Sequence, residues 1–370
     1  MFTEADLNEA VQAGALTPQA VASFQDFIAG RRAGQADEEQ FRLLTGFNDI
    51  FVSIAIILFL VGVSFVGGKI AGPTGAGLLT AGTAWLLARY FTAKRRMALP
   101  SIMLVFGFVI GGAGAAFGLF APLIVRLYGA ATPAHGAGMS LGFFASNAMV
   151  VLMVGVVAAG AALLHWRAFK VPITVACAAG SAVLIGLALI TALIPASRTH
   201  FGLLVLLGGV LILALAMRWD LSDPTRRTRR ADVAFWLHML AAPLIVQPLF
   251  FGLDLTRAVW LPPALRLAHA AIAIGLYGAL IMVALVIDRR AVLVSALIYL
   301  LIALDAVVRA SGMLTGDSAV IAVAVGGLLL FLSAFWGQSR AALLALLALV
   351  PGTGPFLLRL PPVLERVKSG

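Results

Sequence analysis

Apolar runs of about twenty residues alternate with short linkers along most of this chain, and every second linker is rich in arginine. Hydrophobic residues fill 62% of the 370 positions and charged residues only 11%. Mean hydropathy is +1.04. A water-soluble fold of this length has too little interior to hide that much apolar surface, whereas a bilayer replaces water as its solvent. The fold class expected is all-α: a polytopic transmembrane helix bundle with a small helical hairpin ahead of it.

Residues 1–45 read as the hairpin and 46–370 as the bundle. Thr3 is placed to cap a first helix, with Asp6 three residues later, and Leu7, Ala10 and Val11 form its apolar stripe. Gly14 ends it. Thr17 then caps a second helix with Pro18 at its first position, and Leu16 is placed to staple onto Val21. Val21, Phe24 and Ile28 continue the stripe until Gly30-Arg31-Arg32-Ala33-Gly34. Residues 1–12 carry Glu4, Asp6 and Glu9 with no apolar stretch, so this start is not expected to be a cleavable leader and the first span is expected to act as its own insertion signal.

Spans are expected near 49–68, 73–93, 98–124, 139–164, 171–194, 201–218, 232–252, 264–287, 291–310 and 318–336. Each is long enough for about 30 Å of hydrocarbon. An eleventh apolar stretch, 341–358, is broken by Pro351-Gly352-Thr353-Gly354-Pro355 and reads as a bent span, a re-entrant segment or an interfacial helix.

The linkers orient the chain. Alternate segments from the N-terminus carry Arg31, Arg32, Arg42, Lys94, Arg95, Arg96, Arg167, Lys170, Arg218, Arg226, Arg227, Arg229, Arg230, Arg289, Arg290 and Arg340. The opposite set carries only Lys69, Arg126, Arg198, Arg257, Arg266 and Arg309. The positive-inside rule places the first set, with the hairpin, in the cytoplasm. Trp166, Trp219 and Trp336 then fall at the inner boundary and Trp260 at the outer one. The net charge of +10 is accounted for by topology and by contact with anionic membrane lipids, so no nucleic acid is expected as a partner.

Chemistry must come from polar residues inside the spans, which lipid penalises. Asp305 and Arg309 stand one helical turn apart, acid first, as an ion pair or as a coupling carboxylate with its counter-charge. Gln247 lies between Pro243 and Pro248, where missing backbone donors free carbonyls. Arg266 and His269 open the next span, and Asn147 lies in the fourth. These six share the outer half. Together they suggest an extracytoplasmic pocket, with Arg266 and Arg309 facing an anionic group; separate satisfaction by neighbouring backbone is the competing reading. His238 reads as interfacial, and His135, His165 and His200 fall in linkers with no ligand spacing. Cys177 is the single cysteine and reads as a small buried hydrophobe, so neither a disulfide nor a metal or cofactor is expected. Gly107-xxx-Gly111 and Gly114-xxx-Gly118 suit either a dimer seam or packing within the chain, the latter preferred. No G-x-S-x-G, H-E-x-x-H or P-loop is present.

The segment Gly14-Ala15-Leu16-Thr17-Pro18-Gln19-Ala20, followed by many apolar spans, resembles a group of uncharacterised bacterial multipass inner-membrane proteins with a short N-terminal helical hairpin. Ser222-Asp223-Pro224 and Arg230-Ala231-Asp232-Val233-Ala234-Phe235-Trp236-Leu237-His238 are similar to segments of unannotated proteobacterial membrane proteins. The resemblance implies a bacterial inner-membrane location and carries over no functional residue.

Three functions fit these features. The first is transport or binding of a small molecule or ion through the outer pocket. The second is a non-catalytic scaffold or sensor whose hairpin and basic 219–231 loop hold a cytoplasmic protein partner. The third is an intramembrane enzyme acting on lipid or glycan precursors.

Overall fold

A computed structural model describes residues 4–21, 23–24, 47–128, 148–223, 228–251, 263–288, 293, 297, 300–302 and 317–349. The chain divides into two units, Leu43–Pro361 forming the larger.

In the smaller unit, helix α1 spans Glu4–Gln12. Gly14 follows it at φ +72°, a backbone that favours glycine. Its N–H donates to Val11 O at 3.0 Å, and Ala15 N–H donates to Ala10 O at 2.9 Å. These two bonds form a Schellman stop that satisfies the last carbonyls. The chain turns helical again at Pro18, where Thr17 Oγ1 accepts from Ala20 N–H at 3.1 Å. The stop at Gly14 and the cap at Thr17 are as the sequence suggests. Val21 is buried while Leu16 stays exposed. The expected Thr3–Asp6 cap and the Gly30–Gly34 stop involve residues outside the described ones.

In the larger unit the helices are α2 (Phe47–Ala88), α3 (Ala98–Tyr128), α4 (Ala148–Phe169), α5 (Ile173–Leu193), α6 (Phe201–Leu221), α7 (Arg229–Phe251), α8 (Pro263–Ile287), α9 (Asp317–Ala334) and α10 (Trp336–Ala348). A π-helical turn, Arg89–Lys94, prolongs α2, and a 3-10 turn, Pro195–His200, precedes α6. Every regular element among the described residues is helical. Six helices are long and apolar enough to cross a membrane, and a seventh is possible if Gly326–Ala334 and Trp336–Ala348, bent by 79°, count as one broken span.

Helix α2 is a hairpin of two arms. Ala71 and Gly72 leave helical geometry just before Pro73, and Gly72 takes φ +60°. A Cβ on Gly67 would lie 2.4 Å from Gly75 O, a contact that a straight helix excludes for residues about 12 Å apart along its axis. Ile56 and Leu60 of the outgoing arm pack with Ala84 and Ala88 of the return arm. The outgoing arm buries one stripe, Asp49, Ser53, Ile56, Leu60 and Gly67, and presents its remaining faces outward. Only 22% of the most apolar window of Phe47–Lys94 is buried. Such a surface in water would aggregate, but in a bilayer it is the lipid-facing side.

Helix α3 meets the return arm backbone to backbone. A Cβ on Gly77 would lie 2.2 Å from Ala115 N, on Gly111 2.7 Å from Ala81 N, and on Gly118 2.4 Å from Thr74 N. Gly107 faces Leu60 and Ala84. The glycine stripe of α3 is therefore used inside the chain, as the preferred reading had it.

The remaining helices continue the antiparallel alternation. Gly112 of α3 faces Val157 and Ala161 of α4, Gly155 of α4 faces Ser181 and Ile185 of α5, and Gly209 of α6 faces Leu244 and Ile245 of α7. This order brings the cations at residues 94–96 and 167–170, Arg218 and Arg229–Arg230 to one end, the basic end.

Two boundary expectations need correction. Arg340 is no linker residue: it lies in α10 and is buried. Trp336 is no interfacial belt residue, since it too is buried at the start of α10. Helix packing outweighs their polar character because both find partners inside.

Gly111→Ala should lower the unfolding midpoint of the purified protein, at a cost of about 1–3 kcal/mol, because a methyl group there meets backbone. Gly62→Ala, with nothing within 4 Å, should leave the midpoint unchanged or raise it. Equal behaviour of the two variants in thermal unfolding would contradict this packing.

Candidate functional site

Helix α8 buries a stripe, Ala273, Tyr277, Leu280, Ala284 and Ile287, at the four- and three-residue steps of a helix face, with Leu285 buried beside it. Tyr277 stands near the midpoint of α8 and is 1% exposed. Its hydroxyl has no hydrogen-bond partner among the described residues. A buried hydroxyl without a partner costs free energy, which makes Tyr277 a candidate for contact with a polar group. Followed toward Pro263, away from the basic end, the same register passes positions 269 and 266. Those positions hold His269 and Arg266. Their backbone is helical within α8.

The other expected pocket residues divide as follows. Asn147, Asp305 and Arg309 lie outside the described residues. Gln247 lies on α7 and is exposed, one step off the buried register Ala242, Val246 and Phe250. Helix α7 runs on through both prolines beside it. Tyr277 was missed in the sequence because its phenol ranks as apolar in hydropathy. The signal available was its spacing of eight from His269.

A second buried polar cluster lies near the basic end. His165, expected in a linker, is in the last turns of α4 and is 0% exposed. Its ring lies 4.7 Å from Phe169, 5.8 Å from Phe108 and 6.1 Å from Trp85, centroid to centroid. Neither ring nitrogen has a hydrogen-bond partner among the described residues. The apolar run simply extends farther than Trp166 and Arg167 suggest, so the imidazole is carried inside.

His238, expected at the interface, is also buried, in the third turn of α7. Its Nδ1 lies 2.8 Å from Ala234 O. A carbonyl only accepts, so Nδ1 carries the proton. Asp223 accepts from the backbone N–H and the hydroxyl of Thr228 at 2.8 and 2.7 Å, tying the basic loop to the start of α7.

The third cluster joins α8 to α10. The Trp336 indole N–H donates to Asp288 Oδ1 at 2.9 Å, and Arg340 Nε–H donates to Leu285 O at 3.1 Å. Arg340 Nε and Asp288 Oδ1 are 3.9 Å apart. The guanidinium thus sits at the C-terminal end of α8, where the helix dipole favours a cation. The cluster fixes the bent α9–α10 pair onto α8. Cys177 is half-buried in α5. Among the described residues no three His, Cys, Asp or Glu side chains gather as metal ligands.

Arg340→Met should destabilise the protein by about 1–3 kcal/mol, since it removes the buried donor to Leu285 O and the cation beside Asp288 and the α8 C-terminus, and thermal unfolding measures it. His165→Leu should hold or raise the midpoint, because it removes two buried polar atoms that lack hydrogen bonds. A drop of several degrees for His165→Leu would show that the imidazole has a partner. No protein-family model, no curated protein and no solved structure matches this chain.

Proposed function

We propose that the chain is a multipass protein of the bacterial inner membrane, crossing about ten times with its N-terminus in the cytoplasm, that binds and moves a small anionic molecule or ion through a polar pocket open to the extracytoplasmic side. The buried Tyr277 hydroxyl carries this reading, because it lies at mid-depth on the helical register of His269 and Arg266. Asp305, Arg309, Asn147 and Gln247 complete the proposed pocket. Arg266 supplies charge for an anion, Tyr277 a hydrogen bond at the pocket floor, and Asp305 a site for a coupling proton or cation.

The test is a thermal-shift screen of the purified protein against small carboxylates, phosphates and sulfates. At least one should raise the midpoint by a few degrees and be taken up by proteoliposomes. Tyr277→Phe should weaken its binding about fivefold, the equivalent of one hydrogen bond. Asp305→Asn should abolish uptake while leaving insertion intact. A screen without a stabilising anion, or uptake indifferent to both variants, overturns the reading.

A second reading has its own observation. The capped N-terminal hairpin leaves Leu16 and Phe24 exposed, as a surface for a cytoplasmic protein partner would. Under that reading, deleting residues 1–45 removes function and Asp305→Asn does not.

A further inference from the structure

Between Asp49 and Asp220 the chain contains ten Lys and Arg residues and no acidic residue. Six of those cations, Arg89, Lys94, Arg95, Arg96, Arg167 and Lys170, lie at the basic end, on the π-helical turn and linker after α2 and on the end of α4. All six are exposed or half-exposed. The two elements that carry them are neighbours: Phe91 and Phe169 pack in one cluster with Ala88 and Leu104, and Trp85 lies 5.0 Å from Phe169. Among the described residues none of the six is paired with an acid.

These cations are held in place by other means. Arg95 Nε–H donates to Tyr90 Oη at 3.2 Å, and its guanidinium lies 5.7 Å from the Tyr90 ring. Lys94 Nζ is 5.9 Å from the same ring, and Lys170 Nζ is 5.4 Å from the Trp166 ring. The π turn inserts an extra residue, with Arg95 N–H donating back to Tyr90 O at 2.9 Å, and so changes the side on which the next cations emerge. Arg96 and Lys170 both take left-handed backbone, at φ +54° and +55°. Aromatic rings offer only partial compensation for a full positive charge. No acid among the described residues supplies their counter-charge, and they stand at the level where membrane helices end.

We infer that this rim, centred on Arg95, Arg96 and Lys170, is a binding site for the phosphate headgroup of an anionic phospholipid. Tyr90 and Trp166 lie beside the acyl–headgroup boundary, and the cations they steady meet the phosphate. The site is independent of the proposed pocket, so either assignment stands or falls without the other.

The test uses the purified full chain and native mass spectrometry after exchange into mixed phosphatidylglycerol and phosphatidylcholine micelles. Wild type should retain phosphatidylglycerol in preference to phosphatidylcholine, and high salt should erase the preference. Neutralising Arg95→Gln, Arg96→Gln and Lys170→Gln together should weaken phosphatidylglycerol binding about a hundredfold, while Arg95→Lys, Arg96→Lys and Lys170→Arg should keep it. Should the neutral triple variant fail to fold, the salt dependence and the charge-conserving variant decide. Equal retention of both lipids by wild type overturns the proposal, as does a folded neutral variant that still prefers phosphatidylglycerol. Displacement of the lipid by inorganic phosphate would assign the rim to a soluble anion instead and overturn the lipid assignment.

Discussion

Backbone contact through glycine is the interaction on which the first half of the bundle rests. Lipid tails are as apolar as leucine, so burial of apolar surface does not hold two helices together inside a membrane. Close approach does, through dispersion contacts that any Cβ would prevent. Gly77 and Gly111 supply that approach between the α2 return arm and α3, and Gly67 against Gly75 closes the arms of α2. The consequences reach beyond the contact itself. The return arm carries Trp85 and α3 carries Phe108, and these rings pack 5.0 Å apart. Together with Phe169 they enclose His165. A rotation of either helix would open that box.

The two ends of the bundle differ in chemistry. At the basic end, exposed cations surround the helix ends, and the buried cluster of Asp288, Trp336 and Arg340 fastens α10 to α8. The polar register of α8 runs the other way, from Tyr277 toward Pro263. Charge is thus concentrated at one end of the bundle, the pattern by which the positive-inside rule orients a membrane chain.

The positions of several described helices were legible in the sequence, and their facing was not. Apolar run length locates a span along the membrane normal, and α3, α5, α7 and α8 begin within three residues of expectation. The hairpin stop at Gly14 and the cap at Thr17 were legible because each rests on a local backbone requirement. Facing depends on a contrast between polar and apolar sides, and a helix apolar all round has almost none. Tyr277 therefore escaped notice, and His165 and His238 were read as linker and interfacial residues although both are buried. Arg340 misled for a related reason. A lone arginine between two apolar stretches has the look of a linker, and its partner Asp288 lies about fifty residues away, beyond any local pattern.

Backbone strain at the basic end argues that its charges are wanted for themselves. Arg96, Lys170 and Asp288 all occupy left-handed conformations, at φ +54°, +55° and +57°. Each such residue costs about 1 kcal/mol that glycine would avoid. The chain has 38 glycines and places one at Gly14, where φ is +72° and no charge is carried. At these three turns it keeps a charged side chain instead. Asp288 has an internal reason, since it accepts from Trp336 and faces Arg340. Arg96 and Lys170 have no acid to face within the described residues, and what their charges offer there is a topology signal and, under the lipid-site proposal, a contact for an anionic headgroup.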